Sequence, residues 1–343
     1  MKKVLSCIIL ILLCACNRLD KSNDFINIST QYRRVISPIV FDNSLFMAVS
    51  MKNRTSNDTN ILIQYNMQTK KYIKIFESEF EYANIQGIQV NKNWLVWEDM
   101  SVDGTKDNIW VMNRKNNNKK KINISKTENP SFTVPILIDN YILWINEEKI
   151  INNKLKGSIK QYDCLQDETK VICSINEIGM HNFRLENYGE SILWSDKIKD
   201  DSYYFVYNVH TKKRLEIKIN MDYSLHPILI DRCIISNEFA DEDDIDENSA
   251  LQPYIYNIDT KKSHKLDVKL NGYYSYNDNL VTNDGKDVFI YSIEDNLNIR
   301  KRETIVNENY EDYYVSQNES LIFLRKNSNN YIDLLIYTKD DLF

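Results

Sequence analysis

The sequence predicts an all-β fold, and three observations carry that expectation. First, a short apolar run recurs seven times: Leu45-Phe46-Met47, Leu95-Val96-Trp97, Ile142-Leu143-Trp144, Ile192-Leu193-Trp194, Ile234-Ile235-Ser236, Leu280-Val281-Thr282 and Leu321-Ile322-Phe323. Their last residues lie 50, 47, 50, 42, 46 and 41 positions apart. Second, a further strand ending in Tyr follows most of these runs, as in Ile63-Gln64-Tyr65-Asn66 and Tyr254-Ile255-Tyr256-Asn257. Third, the seventh unit lacks a full outer strand, while Phe25-Ile26-Asn27-Ile28-Ser29 resembles the outer strand Lys121-Ile122-Asn123-Ile124-Ser125. A period of about 40–50 residues built from short strands is the mark of a β-propeller. The expectation is one domain over residues 25–343 with seven four-stranded antiparallel blades. The N-terminal strand closes the last blade and leaves no long unpaired edge. Six blades plus an extra sheet is the alternative, because units five and six match the pattern least.

From the N-terminus, residues 1–15 read as an export signal. Lys2 and Lys3 give a positive start, and the apolar stretch from Val4 to Leu13 is too short to span a bilayer. Leu13-Cys14-Ala15-Cys16 resembles a bacterial lipobox, which makes Cys16 the expected lipidation site. Residues 16–24 then form the lipidated cysteine and a polar tether. Within each unit the inner strand, such as Pro135 to Ile138, turns at Asp139-Asn140 into the apolar second strand. Pro38, Pro135 and Pro227 each stand nine residues before the landmark that ends their unit's apolar run, at the expected start of the inner strand, where a missing donor costs little. Central strands read as continuous apolar runs because neighbouring blades cover both faces; outer strands alternate. The outer strands are placed at Tyr72 to Ile75, Ile122 to Ile124, Leu215 to Ile219 and Leu266 to Val268. The recurrent Trp and Tyr are expected to fill the space between blades. The Asn, Asp or Ser after each Tyr is the expected partner of its hydroxyl.

The 343 residues carry 43 Lys and Arg against 49 Asp and Glu, a net charge of -6. That balance argues against a nucleic-acid surface, which needs a concentrated basic face. Beyond Cys16 the cysteines are Cys164, Cys173 and Cys233; Cys164 and Cys173 flank a predicted hairpin turn and could face each other across it, but the odd count and spacing favour small buried residues with no bond and no metal site. Glu238 to Glu247 is a run of acids. Asp241, Asp243, Asp244 and Asp246 make a weak Ca²⁺ candidate that lacks the glycine and third ligand of a Ca²⁺ loop, and no cofactor is expected.

The stretches Leu95-Val96-Trp97-Glu98-Asp99 through Met112, and Ile192-Leu193-Trp194-Ser195-Asp196 followed by Tyr204 to Tyr207, resemble those of bacterial β-propeller lipoproteins of the TolB-like group. The resemblance is structural. It implies a rigid extracytoplasmic disc of the cell envelope that binds a protein or ligand.

Candidate functional residues follow from topology. Inner-strand starts open on the central channel, so His181, Asn182, Arg184, His226, Tyr273, Tyr274, Tyr313 and Tyr314 are the expected channel-mouth set. No nucleophile elbow, zinc-protease, P-loop or dinucleotide motif is present, and no catalytic residue is assigned. The functional expectation is a membrane-anchored, non-catalytic binding module for an envelope protein or polar ligand. The alternative is a propeller enzyme, a glycan hydrolase or lyase working at the channel.

Overall fold

The structure is a computed structural model, describing residues 26–50, 58–124, 134–152, 154–179, 182, 184–240, 251–306, 310–316 and 320–338. It consists of seven four-stranded antiparallel sheets. The first six blades run in chain order from Val35 to Glu77, Ala83 to Ile124, Ile136 to Ile178, Glu186 to Lys218, Tyr223 to Lys265 and Asn271 to Val306. The seventh joins Asp312–Ser316, Ser320–Lys326 and Ile332–Thr338 to the N-terminal strand Ile26–Ser29, which pairs Ile26 with Ile336 and Ser29 with Asp333. The seven-bladed expectation and its N-terminal closure therefore hold, and the six-bladed alternative does not.

The seams explain the sequence period. Seven apolar clusters of described residues lie between successive blades, one at each seam. Trp97, Trp144, Trp194 and Phe323 lie inside their second strands, which run on past them, and are fully buried in these clusters. The cluster between blades seven and one joins Ile28, Leu334 and Ile336 to Val35 and Met47, so the closing strand contributes core as well as hydrogen bonds.

Each sheet has two ends. On the mouth face inner strands begin and second strands finish, as where Val35 pairs with Val49. On the turn face the inner strand turns back through two residues, the first at positive φ in Asp42, Asp139, Gly189, Asp231 and Asn277. Asp and Asn tolerate that conformation better than other side chains. The third-to-outer turns, on the same face, repeat one design. The side chains of Asn66, Asn208 and Asn257 each accept backbone N–H bonds from residues two and three places on, and Lys70, Lys212 and Lys261 follow at positive φ. The Asx residue thus caps the turn, and the neighbouring Tyr hydroxyls go elsewhere: Tyr162 to Asp167 and Tyr256 to Glu238.

Two expectations shift in place. The outer strand of blade five is Ser263–Lys265, not Leu266 to Val268. Leu266 still donates to the Pro253 carbonyl, but Pro253 has no N–H to return, so the ladder ends there. Pro38 and Pro227 sit inside their inner strands, at bulges between Ile36 and Ile39 and between Leu225 and Ile228. A bulge takes a residue out of the ladder, where a missing donor is harmless. The bulges carry positive φ at Ser37, Gly87, His226 and Gly272, each ten residues before its unit's landmark.

Buried carboxylates clip successive blades at the mouth face, each two residues beyond the landmark. Asp99 takes a hydrogen bond from Ser78, Asp196 from the backbone N–H of Asn176 and Glu177, and Glu238 from that of Met221. In every case the donor lies on the segment arriving from the preceding blade.

Candidate functional site

The inner strands surround a cavity of about 530 Å³ along the axis. Its wall includes Ser37, Gln86, Arg184, Glu186, Tyr274 and Tyr314, with Tyr188 and Asp278 towards the turn face. Arg184 stands just before the inner strand that Glu186 opens, and both line the cavity. Their Nε and Oε1 atoms are 2.8 Å apart. The Glu186 carboxylate raises the Arg184 pKa, while burial raises that of Glu186 against the opposing pull of Arg184. The mouth therefore holds a cation whose charge is largely answered in place.

His226, at the strained bulge position of blade five, is pushed down to about 4 by burial and then by the Arg184 charge. Its ring is neutral at pH 7. Burial raises Tyr274 and Tyr314 as well, so both present neutral phenols. Beside the mouth, Gln86 donates to Glu98 at 2.8 Å, linking the wall to a buried acidic group of blade two. There burial pushes Asp99 up to about 6, and burial and neighbouring acids raise Asp107. At the far end the Tyr188 hydroxyl of blade four reaches Asp278 of blade six, passing over blade five.

The structure brings Arg184, Tyr274 and Tyr314 of the expected set to the cavity wall. Tyr273 and Tyr313 turn the other way, because neighbouring strand residues point to opposite faces. The Tyr273 hydroxyl donates to the Leu225 carbonyl and accepts from the Asn237 N–H at 3.1 Å; Tyr313 donates to the Gly272 carbonyl. Asn182 is buried, donating to the carbonyls of Glu177 at 2.6 Å and Ser195 at 3.0 Å while accepting from Gly179. These three fasten blades together. His181, the acids Asp241, Asp243, Asp244 and Asp246, and Cys16 lie outside the described residues. Among the described residues, no group of three His, Cys, Asp or Glu side chains is placed to hold a metal ion. Cys164 packs on the seam between blades two and three and Cys173 on the next one, both as free thiols. Sequence reasoning missed Glu186, although an Arg-x-Glu at the start of an inner strand was a usable signal. Gln86 left no such mark.

No family model matches the chain, and no curated protein matches it. Solved structures do. The β-propeller domain of the Trilobed protease from Pyrococcus furiosus is 12% identical with a TM-score of 0.57, over 92% of this chain and 99% of that one. An oligogalacturonate lyase in complex with manganese is 10% identical with a TM-score of 0.59, over 93% of this chain and 92% of that one. At these identities the likeness shows the β-propeller fold alone. TolB from Acinetobacter baumannii is 11% identical with a TM-score of 0.42 over 82% of this chain. The chain spans 61% of that protein's length, and at that score the likeness adds nothing to the fold assignment.

Proposed function

We propose that this propeller is a lipid-anchored, extracytoplasmic binding module of a bacterial envelope, attached through Cys16 and receiving a polar partner at the channel mouth. The observation that carries the reading is the axial cavity of about 530 Å³, walled by the Arg184–Glu186 pair and the phenols of Tyr274 and Tyr314. Such a wall suits a polar segment of a protein or a polar ligand: aromatic faces give contact area, and a few fixed polar groups give orientation. The carboxylates of the wall support binding over glycan hydrolysis. Glu186 is engaged by Arg184 and Asp278 by Tyr188, so neither stands as a free carboxylate of a hydrolytic pair.

Affinity capture from the native envelope tests the reading. Tyr274→Ala and Arg184→Gln should lose partners that the wild-type protein retains by at least tenfold, measured well below the melting temperature of each variant. Capture of the same partners by both variants would remove the channel mouth from consideration.

A further inference from the structure

We infer that the turn face of the disc lies against an anionic bilayer and that the channel mouth points away from it. The inference rests on the proposed anchor at Cys16 and on two independent structural observations.

The first is the direction of the closing strand. Ile26 pairs with Ile336 and Ser29 with Asp333, so this strand rises from the turn face to the mouth face. The chain preceding Ile26 thus joins the disc at its rim on the turn face. Ten residue steps separate Cys16 from Ile26, a reach of at most about 35 Å when fully extended and about 17 Å as a flexible coil. A blade strand of seven or eight residues is itself about 25 Å long. A tether of ordinary dimensions therefore keeps the turn face beside the anchor; inverting the disc would stretch it along the rim to about 25 Å, beyond its coil dimension.

The second is charge. The third-to-outer turns place Lys70, Lys71, Lys115, Lys213, Lys261 and Lys262 on the turn face, all exposed and none in an ion pair with a described residue. Acids on that face lie on the inner turns, at Asp42, Asp139 and Asp231, and on the third-to-outer turns of blades three and six, at Asp167 and Glu168 and at Glu294 and Asp295, so the lysines cluster on the turns of blades one, two, four and five. His210 pairs with Asp139, and Arg232 with Asp259. The mouth face exposes Glu81, Asp103, Asp200 and Asp222, besides Glu77 and Glu79, which pair with Lys74 and Lys121. Peripheral lysines on four of the blades are drawn to anionic headgroups, and a face rich in carboxylates is pushed from them.

Lysine footprinting on the full chain tests the inference. The protein is incubated with vesicles of phosphatidylcholine alone or containing phosphatidylglycerol, then treated with a water-soluble amine-reactive ester and read by mass spectrometry. With anionic vesicles, modification of Lys70, Lys213 and Lys262 should fall at least threefold relative to Lys106 and Lys149 of the mouth face. A sixfold Lys→Gln variant at the turn-face positions should lose most of its co-sedimentation with those vesicles. Equal protection of both faces, or protection of Lys106 and Lys149, overturns the inference. The mass of the mature N-terminus tests the anchor separately. An acylated Cys16 without turn-face protection sinks the orientation and spares the anchor. Turn-face protection in an unsubstituted chain whose N-terminus carries no acyl mass supports the orientation and removes the anchor.

Discussion

Glu238 shows what one residue contributes. It is fully buried, accepts the Tyr204 hydroxyl of blade four at 2.9 Å and the Tyr256 hydroxyl of its own blade, and takes the Met221 N–H at 3.3 Å. Burial pushes its pKa up to about 7 in spite of these donors. A carboxyl raised in the folded state binds its proton more tightly there than in the unfolded chain. Its contribution is complete below the unfolded value and fades as pH rises through about 7. Asp99, raised to about 6, acts in the same direction. Thermal melts should therefore show stability rising on acidification from pH 8 to pH 5, by a few kcal/mol on the order-of-magnitude scale of one pKa unit per 1.4 kcal/mol. Glu238→Gln keeps an acceptor for both hydroxyls and should flatten this slope. Glu238→Ala should cost about 2–4 kcal/mol at any pH, because two buried phenols and an N–H lose their acceptor.

At the scale of the element, the inner-strand bulge governs the shape of the mouth. Gly87 holds φ +59, and a Cβ there would meet Pro135 Cδ and Val134 Cγ1 at 3.0 Å. Gly87→Ala should destabilise by about 1–3 kcal/mol in urea titration, from the left-handed backbone and the contact with blade three together. Ser37 holds φ 49 without being glycine, so Ser37→Gly should raise stability by up to about 1 kcal/mol. An opposite ranking of the two variants would show that the bulge is not strained as described. The bulges also mark where the sequence stopped being legible. Prolines at a fixed offset were visible, yet an inserted residue changes local register without changing the repeat length. Which Tyr of Tyr273-Tyr274 faces the axis depends on that register, whereas the inner strand of blade seven pairs without a bulge. The carboxylate clips were hidden for a related reason: Asp99, Asp196 and Glu238 share an offset but differ in residue type, and their partners lie on another blade.

The whole molecule was the most legible level. Second strands covered on both sides must be apolar throughout, so seven buried seams write themselves as seven apolar runs. The closing strand could be matched because its Ile-x-Ile pattern serves the same outer position as in blade two. That strand supplies a prediction for the ring as a whole. Ile28 is 5% exposed and Ile26 is 42% exposed on the same four residues. Ile28→Asp should lower stability by about 3 kcal/mol or more, since it buries a charge in the seam joining the last blade to the first. Ile26→Asp should stay within about 0.5 kcal/mol. Urea titration followed by near-ultraviolet circular dichroism would measure both, and similar effects of the two would mean that the strand does not seal the ring.

The direction of that strand also sets how the molecule bears a mechanical load. Tension on the segment before Ile26 pulls along the strand axis, away from the turn face, so the bonds from Ile26 to Ser29 resist it side by side rather than tearing in turn. The partner strand Ile332–Thr338 is gripped on both flanks, by Ile26–Ser29 and by Ser320–Lys326, and would pass the stress inward across the sheet. A tug from this end is met in shear, the geometry in which a short ladder yields last.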